Sequence, residues 1–150
     1  MRTNTVGPAV ALVTAMALLP WHPAAAAQSA TNEATSHAEK VVVQVSDDDP
    51  KPWGLALNNI RNLQAALGAD KVDITLVTYG PGIDMLMFDS IVANRIASAL
   101  EAGVHMVACE NTLTSRKIDR ADMHPGVGFV PSGVLEIVER QRQGWSYLRP

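Results

Sequence analysis

The sequence predicts an α/β domain with three layers, α/β/α, built around a five-stranded and mostly parallel sheet. Short β-branched runs alternate along the chain with stretches whose apolar residues recur at helical spacing. The predicted strands are apolar throughout, which is typical of strands buried on both faces. The connections between them are short, as in a repeated strand-helix pattern. With 150 residues, 18% of them charged, and one cysteine, the chain has the composition of one globular domain.

The amino-terminal residues are predicted to be a secretory signal peptide outside this domain. Arg2 precedes an uncharged run at 6–19, and the alanines at 24–27 provide the small residues of a cleavage site. The run is shorter than the roughly 20 residues that span a bilayer, and an uncleaved anchor is the alternative interpretation. We therefore predict a signal peptide at 1–27, a flexible linker at 28–39 and a domain at 40–150 that is periplasmic or secreted.

The first strand and helix of the domain follow the linker. The apolar β-branched run from Lys40 predicts strand one, which ends at the aspartates 47–49. These aspartates before a proline are interpreted as a solvated turn, with a cation site as the alternative. Helical spacing from Trp53 to Leu67 predicts helix one, which Gly68 ends.

The next strand leads into a glycine-rich loop. Residues 72–78 are β-branched and predict strand two, which ends at Tyr79 and the turn signal Gly80-Pro81-Gly82. The apolar stretch at 83–88 has no decisive periodicity. The spacing of apolar residues at 92–100 predicts helix two.

The second half of the domain repeats the pattern with shorter elements. Residues 104–108 predict strand three, with Cys109 at its carboxyl end. Asn111 and Thr112 are predicted caps of a short helix, and Ser132 is the predicted cap of a longer one. The apolar stripe predicted for the longer helix consists of Val134, Ile137, Val138 and the stem of Gln141. Residues 128–130 and 145–148 predict strands four and five.

In an open parallel sheet, ligands bind beyond the carboxyl ends of the strands. The predicted site residues at these ends are Cys109 for catalysis and Tyr79, Gly80, Gly82, Asn111, Thr112 and Ser132 for binding.

Composition and spacing exclude several function classes. A net charge of −3 without a basic patch argues against nucleic acid, and no membrane partner is predicted after signal cleavage. No lysine follows Gly80 and Gly82 as a phosphate-binding loop requires, and Ser132 lacks the first glycine of a nucleophile elbow. His105 and Cys109 would lie roughly 13 Å apart along a strand, too far for one ion. We predict no metal and no cofactor, with copper on Cys109 and His124 as the open alternative.

Cys109 is the one residue whose chemistry needs an explanation. An unpaired cysteine in an exported chain is unusual, and a helix is predicted to start within three residues of it. Backbone N–H groups at a helix start favour a thiolate. We expect a partly accessible thiol with a lowered pKa. The alternative is a small buried residue that only packs at the end of a strand.

Several segments together resemble the DsrE/DsrF-like family, in particular its small exported single-domain members. The resemblance covers about 40–150. Its segments are KVVVQVSDDD followed by Trp53, NNIRNLQAALG, YGPGIDML, GVHMVACENTL and VPSGVLEIVERQRQGWSYLRP. The ACENTL block and the carboxyl-terminal segment are specific in combination.

The resemblance implies both an assembly and a chemistry. Members commonly form trimers or hexamers, and the apolar run from Met85 to Phe88 is a candidate contact surface. Characterised relatives carry sulfane sulfur as a persulfide on a cysteine near a strand end, a position that Cys109 matches. The expected function is a periplasmic sulfur carrier or sulfurtransferase-like protein, with a sulfur donor or acceptor protein as partner. The alternative is a non-catalytic oligomeric binding protein.

Overall fold

The structure is a computed structural model that describes residues 38–150. The predicted signal peptide at 1–27 lies outside the described residues, as does the predicted linker up to residue 37. The first strand begins at Glu39, one residue before the predicted start of the domain. None of the helices in this part of the chain is long and apolar enough to cross a membrane.

Five strands and four α-helices alternate within residues 38–150, joined in two places by 3-10 helices. In chain order the elements are β1 Glu39–Val45, α1 Pro50–Leu67, β2 Val72–Thr78, a 3-10 helix Gly80–Leu86, α2 Ala93–Glu101, β3 His105–Cys109, α3 Glu110–Arg116, a 3-10 helix Arg120–Asp122, β4 Gly128–Val130, α4 Gly133–Arg142 and β5 Ser146–Leu148. The strands form one sheet in the order β4-β3-β2-β1-β5, and every pairing is parallel. The predicted α/β class and five-stranded sheet are confirmed.

Both faces of the sheet are apolar, as the uninterrupted strand patterns predicted. Successive side chains of a strand point to opposite faces. Val41 and Val43 pack with α1 in the main core, whereas Val42 packs with Ile137 of α4 and with Trp145 on the other face. The sheet therefore lies between helices, and α4 covers the face on which Val42 lies.

The aspartates after β1 have separate structural roles. The Asp49 side chain caps α1 by accepting a hydrogen bond from the Lys51 N–H at 2.8 Å. Asp47 accepts two hydrogen bonds from Arg149, and its carbonyl accepts one from the Trp53 ring N–H. The run thus connects β1 to α1 and to the carboxyl-terminal strand, which agrees with the predicted turn.

Two predictions about apolar surfaces are wrong in part. The stretch at 83–88 belongs largely to a 3-10 helix, and both Met85 and Leu86 are fully buried, because this helix packs into the main core. Only Phe88 of that stretch is exposed. In α4, Ile137 faces the sheet as predicted, but Val134 and Val138 are exposed, because α4 contacts the sheet along the side that carries Gly133 and Ile137.

Candidate functional site

The carboxyl ends of β2, β3 and β4 bring most of the predicted site residues together. Because these three strands are neighbours and parallel, the segments that follow them leave the sheet at the same edge. Tyr79 and Gly80 follow β2, Cys109 ends β3, and Ser132 precedes α4 after β4. The site therefore consists of three chain segments that are far apart in the sequence.

Cys109 is both the last residue of β3 and the N-cap of α3. The predicted caps Asn111 and Thr112 are instead the second and third residues of this helix, because β3 continues into α3 without a loop. The expected partial exposure is also wrong, since Cys109 is 5% exposed. The start of α4 lies against it, because Gly133 approaches its Cβ closely and donates an N–H to its sulfur. The thiol is thus a buried group at the edge where ligands of such sheets bind.

Gly133 lies between Tyr79 and Cys109. A Cβ atom added to Gly133 would lie 3.1 Å from the Tyr79 Cβ and 3.3 Å from the Cys109 Cβ. Only a glycine allows the first residue of α4 to approach both side chains so closely. Sequence reasoning included Ser132 in the site but missed Gly133, because a glycine after a capping serine carries no signal of its own.

The pKa of the Cys109 thiol is lowered by hydrogen bonds that outweigh its burial. Burial by itself raises this pKa, because a thiolate loses its hydration. The Gly133 N–H, the Thr112 hydroxyl and the N–H groups of Thr112 and Asn111 all favour the thiolate by hydrogen bonding, and the net result is a lowered pKa. These donors belong to the first turns of two helices, α3 and α4. The predicted direction of the shift agrees with the structure, although two helix starts contribute where one was expected.

Thr112 connects the thiol to the loop after β2. Its side-chain oxygen accepts a hydrogen bond from the Gly80 N–H at 2.9 Å, and the residue is buried. Gly80 has a φ of 55°, a conformation that favours glycine. The predicted binding residues Gly80 and Thr112 are therefore in direct contact with each other, and Thr112 also acts on the sulfur.

The remaining predicted binding residues have structural roles in the backbone, at a helix cap or in packing. The Asn111 side chain is exposed, whereas the backbone N–H of Asn111 donates to the Pro131 carbonyl at 3.3 Å. Ser132 caps α4, because its hydroxyl oxygen accepts a hydrogen bond from the Leu135 N–H at 3.4 Å. Gly82 allows the 3-10 helix to approach β1, since an added Cβ would lie 2.5 Å from the Val45 carbonyl oxygen.

A buried glutamine holds Tyr79 in place. The Gln44 side-chain amide donates to the Tyr79 hydroxyl at 2.6 Å, and its oxygen accepts a hydrogen bond from the Tyr147 hydroxyl at 2.7 Å. The three residues come from β1, the end of β2 and β5, so the network ties the central strands to one edge strand. Sequence reasoning missed Gln44, although one polar residue inside the apolar run KVVVQV was a usable signal.

An open cleft of about 350 Å³ lies next to Thr112 at the same edge of the sheet. Its polar walls include Gly80, Thr112 and the ion pair between Arg116 and Asp84, whose closest atoms are 2.8 Å apart. Asp48 completes its rim. A second cleft, of about 380 Å³, lies around the start of β3 and is remote from the thiol. The cleft beside Thr112 is the one whose position fits ligand binding in this fold.

The charged groups nearest Cys109 along the chain are engaged with partners. Glu110 forms an ion pair with Arg120, and Arg116 pairs with Asp84. The thiolate is consequently stabilised by neutral hydrogen-bond donors. Within residues 38–150 no group of three or more His, Cys, Asp and Glu side chains is arranged to hold a metal ion.

These features define a class of protein, a small parallel α/β domain with a buried, hydrogen-bonded cysteine at the edge of its sheet. The chain belongs to the DsrE/DsrF-like family, whose sequence model matches residues 39–150, and the predicted family is thereby confirmed. This family is associated in general with sulfur transfer. No curated protein matches the chain.

Solved structures of the same fold come from distant organisms. A protein of unknown function from Methanobacterium thermoautotrophicum is 38% identical, with a TM-score of 0.72, over 75% of this chain and 99% of its own. A conserved protein of unknown function from Bacteroides thetaiotaomicron is 15% identical, with a TM-score of 0.64, over 78% of this chain and 99% of its own. The ychN protein from E. coli is 12% identical, with a TM-score of 0.63, over 75% of this chain and 99% of its own. The latter two comparisons concern the fold alone.

Proposed function

We propose that this protein is a periplasmic or secreted sulfur carrier, or sulfurtransferase-like protein, that accepts sulfane sulfur on Cys109. The observation that carries the proposal is the set of neutral donors around the thiol, which lowers its pKa despite its burial. A thiolate is the form that attacks sulfur, so a lowered pKa increases the reactive fraction near neutral pH. Membership of a family associated with sulfur transfer supports the same chemistry.

The proposed step is an exchange at sulfur. The Cys109 thiolate attacks the terminal sulfur of a donor persulfide, RS–SH, forming a new S–S bond while the donor S–S bond breaks. The products are Cys109–S–SH and the donor thiolate RS⁻, so no external oxidant or reductant is needed. Exchange is faster when the leaving thiolate is more stable, so donors such as polysulfides and acidic persulfides are favoured.

The burial of Cys109 sets a condition on this exchange. With 5% of the residue exposed, a donor reaches the sulfur only if the residues around it, among them Gly133 at the start of α4, move aside. The same burial favours the competing function, a non-catalytic binding protein in which Cys109 only packs. The two functions differ in whether the folded protein reacts at this residue.

Mass spectrometry after incubation with polysulfide separates the two functions. For the folded protein we expect a mass increase of about 32 Da, one sulfur atom, that reductant removes. Cys109→Ser should show no increase, and circular dichroism should show that this variant is folded. An unmodified wild-type protein that takes up sulfur only after unfolding would contradict the carrier function and favour the packing role.

We also propose that the protein is a homo-oligomer, a trimer or hexamer. Since Met85 and Leu86 belong to the core, the surface that supports this proposal is the exposed pair Phe88 and Ile91, which are 66% and 76% exposed. Large exposed apolar side chains in one loop are typical of contact surfaces. Light scattering should give a multiple of the monomer mass, and a monomer at micromolar concentration would refute this assembly.

A further inference from the structure

We infer that Thr112 is a positioning residue for Cys109, with a hydroxyl that the Gly80 N–H orients toward the sulfur. The inference rests on the proposed function in one respect, that Cys109 acts as a thiolate. It adds a role for the loop after β2, which does not contact the sulfur through a side chain of its own. The loop instead acts through one hydrogen bond to Thr112.

The helix geometry places the Thr112 side chain next to the sulfur. Cys109 is the N-cap of α3 and Thr112 is the third residue of that helix. In a capping box the side chain at the third position reaches back to the N-cap residue, so the Thr112 side chain lies close to Cys109. Thr112 is 8% exposed, so little water reaches its hydroxyl group to compete for the hydrogen bond.

Counting donors and acceptors gives the direction of the hydroxyl hydrogen. A threonine hydroxyl has one hydrogen and two acceptor lone pairs. The Gly80 N–H occupies one lone pair at 2.9 Å, which turns the hydroxyl hydrogen away from the loop. The sulfur at the N-cap is an acceptor on the other side, and it accepts more strongly when ionised.

Gly80 is suited to this role by its backbone conformation. Its φ of 55° is strained for residues with a Cβ, so glycine is favoured at the position whose N–H donates to Thr112. Gly82, two residues further on, packs against β1 and fixes the start of the 3-10 helix. The Thr112 hydroxyl is therefore hydrogen-bonded to a segment that packs closely against β1.

Charged groups around the site are balanced in pairs and leave this role to the neutral hydroxyl. They are Glu110 with Arg120, Asp84 with Arg116 and Glu136 with Arg140, while Asp48 lies on the rim of the cleft and Tyr79 is hydrogen-bonded to Gln44. Salt weakens exposed ion pairs but has little effect on a buried hydrogen bond. The effect of Thr112 on the thiolate should therefore persist at high salt.

The test compares Thr112→Val, Thr112→Ala and Thr112→Ser in the full chain. The thiolate is titrated by its ultraviolet absorbance, with Cys109→Ser as the blank, so that burial of the thiol does not limit the measurement. Losing the hydroxyl should raise the midpoint and reduce the thiolate fraction about tenfold at a pH below the midpoint. Thr112→Ser keeps the hydroxyl and should titrate like the wild type.

Thr114→Val is the matched control, because it makes the same change at an exposed position of the same helix. It should leave the midpoint unchanged. If Thr112→Val does not fold, the comparison of Thr112→Ala with Thr112→Ser gives the answer. An unchanged midpoint in the variants without the hydroxyl, or an equal shift in Thr112→Ser, overturns the inference.

The outcome is independent of sulfur loading. If the wild type takes up no sulfur but the hydroxyl variants still titrate at a higher midpoint, the proposed function fails and the positioning role of Thr112 stands. If sulfur loads and the midpoint does not respond to Thr112, the carrier function stands and this inference fails.

Discussion

Replacing Gly82 by alanine should destabilise the domain, because no space for a Cβ exists between the 3-10 helix and β1. The added atom would lie 2.5 Å from the Val45 carbonyl oxygen, 2.7 Å from its carbon and 2.8 Å from the Ser46 Cα. Ordinary contact begins at 3.4 Å, so the oxygen alone would have to move by 3.4 − 2.5 = 0.9 Å. All three neighbours are backbone atoms of a central strand and its exit, so we expect a loss of about 3 kcal/mol, the upper part of the usual overpacking range.

Urea unfolding followed by circular dichroism measures this loss as a change in the free energy of unfolding. Gly54→Ala is the matched control, since an added Cβ there would lie 3.6 Å from the nearest atom, the Nη1 of Arg95. Gly54 is inside α1, and alanine should stabilise the helix by about 0.5–1 kcal/mol. A Gly82→Ala variant within about 0.5 kcal/mol of the wild type would show that the close approach to β1 is not rigid, and would refute this reasoning.

Two further predictions concern the edge of the sheet that carries Cys109. Ser132→Ala removes the N-cap hydrogen bond of α4 and should lower the free energy of unfolding by about 1 kcal/mol in the same urea assay, whereas Ser132→Asn should retain most of it. The lowered pKa of Cys109 also links stability to pH. The contribution of the Cys109 thiolate to the free energy of unfolding should be complete above the pKa of about 8.5 that the thiol has in the unfolded chain. It should be lost as the pH falls through the pKa of the thiol in the folded protein. The difference in free energy of unfolding between the wild type and Cys109→Ser should therefore grow with rising pH. A difference that does not change with pH would contradict this link between the thiolate and stability.

The strands were predictable because their signal is local. Residues 72–78 and 128–130 form β2 and β4 with the predicted limits, since runs of apolar and β-branched residues pack on a sheet covered on both sides. The parallel order followed from the alternation of strands and helices. The caps of α1 and α4 are likewise encoded within a few residues, at Asp49 and Ser132.

The burial of Cys109 was not predictable, because it depends on residues distant in the sequence. The start of α4 lies against Cys109 and against Tyr79, which the Gln44 amide holds in place from β1. Periodicity near residue 109 contains no information about either contact. The same limitation explains the error in α3, where the continuation of β3 into the helix made Cys109 itself the cap.

The low pKa of Cys109 and its burial have one structural origin, and together they constrain how the thiol reacts. The donors that favour the thiolate belong to α3 and α4, and the start of α4 is also part of the cover. If α4 moves aside to admit a donor, the sulfur loses the Gly133 N–H but regains water. Burial raises the pKa of the thiol and the Gly133 hydrogen bond lowers it, so this movement removes two opposing effects at once. The Thr112 hydroxyl belongs to α3 and remains in place during such a movement. The N–H groups of Asn111 and Thr112 also belong to α3, so the donors of this helix together continue to favour the thiolate when the thiol is open to a partner.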